Sequence, residues 1–270
     1  MSVRLAIIGV TGRMGRAIVR AAKESIEVQV VAAVASATSA EIGSDAGALA
    51  GIEASGVVVT SDLRVALAQC DVAIDFSSTA AASTNLEACT AARKPVVIGT
   101  TGLPSNFDLE IAAAARHIAV LVAPNTSLGV TLLIELVRAA AKALPADFDI
   151  EISEAHHRNK RDAPSGTALA LGKAAAEGRA QDLAKVAAVS RNGESPRRPR
   201  EIGFAVTRGG DIVGDHTVLF AGSGEQVVLG HRASDRAIFA RGALKAAVWL
   251  TGRPAGRYWM RDVVGYKTET

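Results

Sequence analysis

Aromatic side chains are scarce: two tryptophans, two tyrosines and six phenylalanines make up 4% of the 270 residues. A core with so few rings must be built from small aliphatic side chains, and the 49% hydrophobic content is dominated by alanine and valine. That mix fits helices packed closely on a sheet. Cysteine is nearly missing. Cys70 and Cys89 stand in apolar or helical surroundings with no Cys-x-x-Cys spacing, which excludes a disulfide framework and predicts buried thiols in a reducing compartment. No apolar run reaches membrane-spanning length, so no membrane partner is expected. Met1 leads directly into a strand pattern without the architecture of a signal peptide, and a cytoplasmic location is expected. The net charge is only +3, and the basic residues are too dispersed to track a phosphate backbone; no nucleic-acid partner is expected. The local excess Arg197-Arg198-Pro199-Arg200 reads as an exposed loop. No cluster of His, Cys, Asp or Glu has metal-ligand spacing, so no metal is expected. Repeats and low-complexity tracts are also missing.

What is present begins with an apolar run, Val3–Ile8, that stops at Gly9 and is followed by Val10-Thr11-Gly12-Arg13-Met14-Gly15 and a helical pattern from Arg16 to about Lys23. Strand, glycine-rich turn and helix in that order form the context of a dinucleotide fingerprint. Gly9 permits the tight turn, Gly12 lets the backbone approach a pyrophosphate, and Gly15 lets the helix close on the strand. A second strand, Glu27–Val34, ends in Ala33-Val34-Ala35-Ser36-Ala37-Thr38 without the acid that usually holds the ribose hydroxyls of NAD. With no carboxylate there to repel a 2′-phosphate, and with Ser36, Thr38 and Arg13 as donors, NADPH is expected to serve at least as well as NADH. Residues 36–56 read as a long surface loop. The alternation then continues through strands at 57–59, 71–76, 95–98 and 118–122 and helices at 63–68, 80–93 and 109–116. This predicts a Rossmann-like parallel sheet with right-handed crossovers. Ligands lie at the carboxyl ends of such strands. Here those ends carry Gly9, Ser77, Gly99-Thr100-Thr101 and Ala123-Pro124-Asn125-Thr126, with the 99–101 and 123–126 backbones expected near the nicotinamide.

Beyond residue 127 the texture changes. A helix is predicted over 128–144, a strand over 148–153, a helix from 168 to about 177, a loop at 190–200, and β segments at 202–207, 212–220 and 226–231 separated by Gly209-Gly210-Asp211 and Gly222-Ser223-Gly224. A helix over 236–250 returns to the first domain. The expected fold class is α/β, with a dinucleotide-binding domain of residues 1–127 and 236–270. Residues 128–235 are expected to form a smaller α+β domain with a mixed or antiparallel sheet.

The chemistry concentrates in Ser153–Thr167. His156, His157, Arg158, Lys160 and Arg161 can carry positive charge, and Pro164-Ser165-Gly166-Thr167 opens into a helix. Cations beside a helix N-terminus suit a ligand with more than one negative group. Adjacent histidines add proton exchange near neutral pH. A solvated basic loop is the plain alternative. His117, His216 and His231 stand isolated on a helix end or in strands and read as structural.

The strings Gly9–Arg16, Gly99–Gly102 and Ala123–Asn125, together with Glu154-Ala155-His156-His157-Arg158-Asn159-Lys160-Arg161-Asp162-Ala163-Pro164-Ser165-Gly166-Thr167-Ala168 and Arg208–His216, resemble the dihydrodipicolinate reductase (4-hydroxy-tetrahydrodipicolinate reductase) family over nearly the full length. The resemblance implies a two-domain homotetrameric enzyme in which residues 128–235 bind substrate and assemble the tetramer. It would reduce a cyclic unsaturated dicarboxylate with NADH or NADPH and loss of water, in lysine and diaminopimelate synthesis. It implies that His156 is a proton donor/acceptor, Lys160 a second proton donor and His157 a substrate contact. It places Gly166 and Thr167 on a substrate carboxylate, to which the helix start near Ser165 also offers N–H groups. It departs at Ala35 and Ser36, where many members have an acid followed by a base. A non-catalytic NAD(P) sensor would keep residues 9–15 but has no use for a proton donor beside an anion pocket, and a different amino-acid dehydrogenase would not need the paired histidines. A cationic neighbourhood is expected to lower the proton affinity of His156 and Lys160.

Overall fold

The computed structural model describes residues 2–266, which divide into two compact units: residues up to Ser127 together with those from Ala237 onward, and Leu128–Arg236. In the first unit strand and helix alternate: β1 (Val3–Ile8), α1 (Arg13–Lys23), β2 (Val28–Val34), α2 (Ala46–Leu49), β3 (Val59–Thr60), α3 (Leu63–Gln69), β4 (Val72–Asp75), α4 (Thr79–Ala91), β5 (Val96–Ile98), α5 (Phe107–Ala114) and β6 (Ala119–Val122). Helix α1 begins at Arg13, three residues before the sequence pattern suggests. It buries Ile18, Val19, Ala21 and Ala22, while Arg20 and Lys23 in its last turn complement the negative end of the helix dipole. Residues 36–56 are not an uninterrupted loop. Asp45 caps the short α2, accepting from Ala48 N, and also accepts from the amides of Ser55 and Gly56. Those amides hold the Asp45 carboxyl down at about 2. Asp62 caps α3 by accepting from Val65 N at 3.0 Å.

The second unit contains α6 (Leu128–Ala143), β7 (Asp149–His156), α7 (Gly166–Gly178), α8 (Leu183–Val186), β8 (Ala187–Ala188), β9 (Ile202–Arg208), β10 (Gly214–Ala221) and β11 (Gln226–Ala233). Its sheet has the order β11-β10-β7-β9-β8, antiparallel on one side of β7 and parallel on the other. Strand β7 runs three residues further than the apolar alternation suggests, through Glu154 to His156. Polar side chains continue the pattern once the apolar ones stop. Along the covered face, Ile150, Ile152, Phe204, Val218 and Phe220 pack with Leu133, Val137, Leu171 and Ala175 of α6 and α7. Burial of this kind contributes about 1.5–3 kcal/mol for each large side chain.

The chain then returns to the first unit with α9 (Ala237–Leu250), β12 (Gly256–Tyr258) and α10 (Met260–Val263). The first sheet is β12-β6-β5-β4-β1-β2-β3, and every described pair in it is parallel. Ala6, Ile8, Ala73 and Ile98 pack against α3, α4 and α5 through Leu67, Leu86, Phe107 and Ile111. The other face meets α1 and α9. Burial on both faces explains why the strands are apolar without alternation. Both thiols lie in this core, and burial raises their pKa. Strand β12 was not foreseen. It is short, half-buried and interrupted by Arg257. Among the described residues no helix is long and apolar enough to cross a membrane.

Candidate active site

The candidate residues fall into two sets, one in each unit. In the first unit, the predicted cofactor residues occupy the carboxyl ends of neighbouring parallel strands. The β1 end turns at Gly9, whose φ of +81° is open to glycine, and a Cβ there would meet the Phe76 carbonyl oxygen at 2.6 Å. A Cβ on Gly15 would overlap the Gly9 carbonyl, so this glycine sets how closely α1 approaches the turn. Gly12 is the N-cap of α1 and supplies no side-chain cap; the first-turn amides of Arg13 and Met14 follow it. A bare helix start behind a turn of Gly9, Val10 and Thr11 is a cradle that fits a pyrophosphate. Ser36 is exposed at the end of β2, with its Oγ 3.0 Å from Thr38 Oγ1. Glu41 reaches back to Arg16 at 3.7 Å.

The β4 end carries a residue that the sequence reading passed over. Asp75 is 1% exposed; its carboxylate accepts from Ser77 N at 2.8 Å and from Asn85 Nδ2 at 3.0 Å. Burial raises its pKa against those bonds. Asp75 thus ties the strand end to α4 beside Gly99, Thr100 and Thr101. Thr79 of α4 donates to the Thr101 carbonyl at 3.2 Å. At the β6 end, Ala123 and Thr126 are buried and Pro124 is exposed. Asn125 Oδ1 accepts from Ser127 N, and Thr126 Oγ1 donates to the Phe239 carbonyl of α9 at 2.7 Å.

In the second unit the covered face of the sheet changes from apolar to polar. Following Ile150 and Ile152, the same face of β7 carries Glu154 and His156. His216 on β10 lies opposite Glu154, and His231 on β11 lies opposite His216. Arg208 on β9 is in register with His156. Glu154 is 3% exposed and takes four donors. Oε2 accepts from His156 Nδ1 at 2.5 Å and Arg208 Nη1 at 2.7 Å, while Oε1 accepts from Ser165 N at 3.0 Å and Arg208 Nη2 at 2.8 Å. Burial works against ionisation of Glu154, but Arg208, His156 and the Ser165 amide outweigh it and hold its carboxyl below the usual range.

His156 is 8% exposed. Burial lowers its pKa, Glu154 opposes that, and Lys160 and Arg208 add to the lowering. The expected cationic influence is therefore present but ranks behind burial. Its ring meets His216 edge-on, with centroids 5.0 Å apart. A Cβ on Gly214 would stand 3.0 Å from His156 Nε2, so this glycine leaves room at the ring nitrogen that Glu154 does not use. His216 is not the isolated strand residue that the sequence suggests. Its Nε2 lies 3.0 Å from Ser165 Oγ, and burial, with help from His156, pushes its pKa down to about 4. Ser165 caps α7 by accepting from Ala168 N, and Gly166 and Thr167 form the first turn. Lys160 Nζ pairs with Asp162 at 2.9 Å, which holds the Asp162 carboxyl low with help from the Gly166 amide. The loop carrying His157 and Lys160 is pinned by Gly209 N to the His156 carbonyl and Arg158 N to the Gly210 carbonyl.

The unit thus brings together His156, Ser165, Lys160 and the α7 N-terminus, and adds Glu154, Arg208 and His216. The strings that carry the family resemblance contain these three, but sequence spacing of 54 and 51 residues gives no sign that Arg208 meets Glu154 or that His216 meets Ser165. Among the described residues no group of three His, Cys, Asp or Glu is placed to hold a metal.

A doubly wound sheet with a glycine turn at its carboxyl edge, joined to a mixed-sheet unit with a buried acid–histidine pair, defines a two-domain oxidoreductase of the pyridine-nucleotide class. Comparison with known proteins makes this particular. Residues 3–126 match the model of the dihydrodipicolinate reductase N-terminus and residues 129–264 that of its C-terminus. The chain belongs to the dihydrodipicolinate reductase family. It is 52% identical over 268 residues to the 4-hydroxy-tetrahydrodipicolinate reductase of Thiobacillus denitrificans, covering 99% of this chain and 100% of that one. It is 49% identical over 266 residues to the reductase of the same name from Alkalilimnicola ehrlichii, covering 98% and 100%. Among solved structures, the dipicolinate-bound dihydrodipicolinate reductase of Paenisporosarcina sp. TG-14 shares the fold with a TM-score of 0.77 at 23% identity, covering 96% of this chain and 98% of that chain. An amine dehydrogenase from Mycobacterium smegmatis shares it at 0.61 and 13% identity, covering 96% and 95%.

Proposed function

We propose that this chain reduces (2S,4S)-4-hydroxy-2,3,4,5-tetrahydrodipicolinate to tetrahydrodipicolinate in lysine and diaminopimelate synthesis, using NADPH at least as well as NADH. The balance is one substrate, one NAD(P)H and one proton giving tetrahydrodipicolinate, NAD(P)+ and one water. The nicotinamide supplies a hydride when bound. The observation that carries the reading is a buried His156, its Nδ1 engaged by Glu154, beside a helix start and Lys160.

The residues divide the work as follows. The first-turn amides of α1 and the turn at Gly9, Val10, Thr11, Gly12, Arg13 and Met14 would hold the pyrophosphate, and Ser36 the adenosine ribose. The backbones of Gly99, Thr100, Thr101, Ala123, Pro124, Asn125 and Thr126 would hold the nicotinamide end. Ser165, Gly166 and Thr167 at the start of α7 hold one substrate carboxylate, and His157 contacts the substrate. Hydride addition to a conjugated C=N/C=C system builds negative charge, and His156, through Nε2, delivers the proton that quenches it; Lys160 is the second donor. The absence of an acid at residues 33–38, with Ser36 and Thr38 hydroxyls exposed there, supports acceptance of a 2′-phosphate. The edge position of β11, with Val228 59% exposed, supports association into a homotetramer through the second unit. The cell compartment is taken as the cytoplasm.

The test is oxidation of NADPH and NADH with the freshly formed condensation product of pyruvate and aspartate semialdehyde. His156→Ala and Lys160→Ala are each expected to lower kcat, His156→Ala by about 10²–10⁴-fold. NADPH binding, read by fluorescence titration, should be retained in both. No consumption of either nucleotide by the unaltered protein would reject the reading. Near-normal turnover of Lys160→Ala would reject that residue's role, and sedimentation as a monomer would reject the tetramer.

A further inference from the structure

We propose that Glu154 is a positioning residue: its carboxylate locks His156 with the hydrogen on Nδ1, leaves Nε2 to face the substrate, and fastens that imidazole to the first residue of the α7 cap. The proposal rests on the reading of His156 as the proton donor. A buried carboxylate that served only as half of an ion pair would need only Arg208. Glu154 instead has all four of its contacts from donors, and two of those donors belong to the site: His156 Nδ1 at 2.5 Å and Ser165 N at 3.0 Å. Arg208 closes the arrangement with its two guanidinium nitrogens on the two carboxylate oxygens, and its Nη2 also donates to the Asp162 carbonyl at 2.6 Å. One carboxylate therefore fixes the proton donor, the helix that would hold a substrate carboxylate, and the end of the loop that carries Lys160.

The direction of the imidazole follows from the same contacts. A carboxylate can only accept, so Nδ1 is the protonated nitrogen, and Nε2 is left on the side where Gly214 has no side chain. Among the charged and titratable groups around this ring, Arg208 comes from β9, His216 from β10, His231 from β11, and Lys160 and Asp162 from the loop. Among the described residues Glu154 is the one that presents a negative charge in contact with it. Removing that charge must therefore make the imidazolium easier to deprotonate. Glutamine at this position keeps the shape but sets an amide NH2 against donors on one side.

The experiment compares the full chain with its Glu154→Gln variant. Glu154→Gln is expected to lower kcat about 10- to 100-fold, a part of the 10²–10⁴ that a positioned proton donor contributes, with KM for NADPH unchanged. The high-pH limb of kcat is expected to move to lower pH by about one unit or more. Unchanged kcat and an unmoved limb would overturn the proposal, as would a loss of thermal stability with kcat and the limb intact. If Glu154→Gln does not fold, imidazole 15N NMR of the unaltered protein decides, with the His156 signals assigned by their loss in His156→Ala. Protonated Nδ1 and bare Nε2 in the neutral ring are expected, and the reverse tautomer overturns the proposal. Failure of the underlying reading is separable. His156→Ala with full turnover removes the proton-donor role itself, whereas an inactive His156→Ala beside a fully active Glu154→Gln removes only the inference about Glu154.

Discussion

The two units present chemistry in different ways. The first offers mostly main chain: turns and helix starts at strand ends, kept bare by Gly9, Gly12 and Gly15. The second offers side chains carried on the inner strands themselves, where Glu154, His156 and His216 continue the rows begun by Ile152 and Val218. A backbone site is damaged by adding atoms. A side-chain site is damaged by removing charges or hydrogen bonds. The same kind of mutation should therefore have opposite severity in the two halves, and this can be tested.

The largest effect is expected where an added methyl group has nowhere to go. In Gly15→Ala the new Cβ overlaps the Gly9 carbonyl and the Val10 backbone, none of which can rotate away. We expect a loss of about 3 kcal/mol or more in urea unfolding, at the upper end of overpacking costs, and weakened NADPH binding. A variant as stable as the unaltered protein would mean that the glycine turn is more yielding than the second unit's core, and the comparison would break.

Next comes the pH dependence of the second unit. His216 ionises at about 4 in the folded chain against 6.5 for the free side chain. The depressed value means that the unfolded chain binds the extra proton first. The folded state therefore keeps its full advantage above about pH 6.5 and loses it progressively as pH falls to about 4. The gap corresponds to about 3 kcal/mol at most. Urea melts at pH 7.5 and 4.5 should show a smaller difference in His216→Gln than in the unaltered protein. An equal difference would mean that this histidine is already charged in the fold.

The smallest effect sharpens the first unit. Ser36→Asp places a carboxylate at the end of β2, where NADPH would bring its 2′-phosphate. The NADPH-to-NADH ratio of kcat/KM should fall about tenfold, or about 1.4 kcal/mol. An unchanged ratio would place adenosine recognition elsewhere.

The contrast also explains what is legible in the sequence alone. The βα alternation to β6 was plain because apolar runs ended at glycine, serine or asparagine. The Gly-, Ala- and Ser-rich texture of residues 36–56 hid the Asp45 cap, whose partners at Ser55 and Gly56 are joined by contacts that no periodicity encodes. Strand β12 was missed because a half-buried edge segment containing Arg257 carries no hydrophobic signal. In the second unit His156 and Lys160 were visible as a dense local string. The depth of Glu154 and the meeting of His216 with Ser165 depend on strand register, which sets which side chains share a face.

The return of the chain to the first unit has a consequence for synthesis on the ribosome. Residues 128–236 must be translated before α9 and β12 exist, yet α9 lies against β4, β5 and β6, and β12 pairs with β6. Until then the nascent sheet has an unpaired β6 edge and apolar strand faces without their helix, both open to wrong partners. The Leu128–Arg236 unit has no such wait and can close as it emerges.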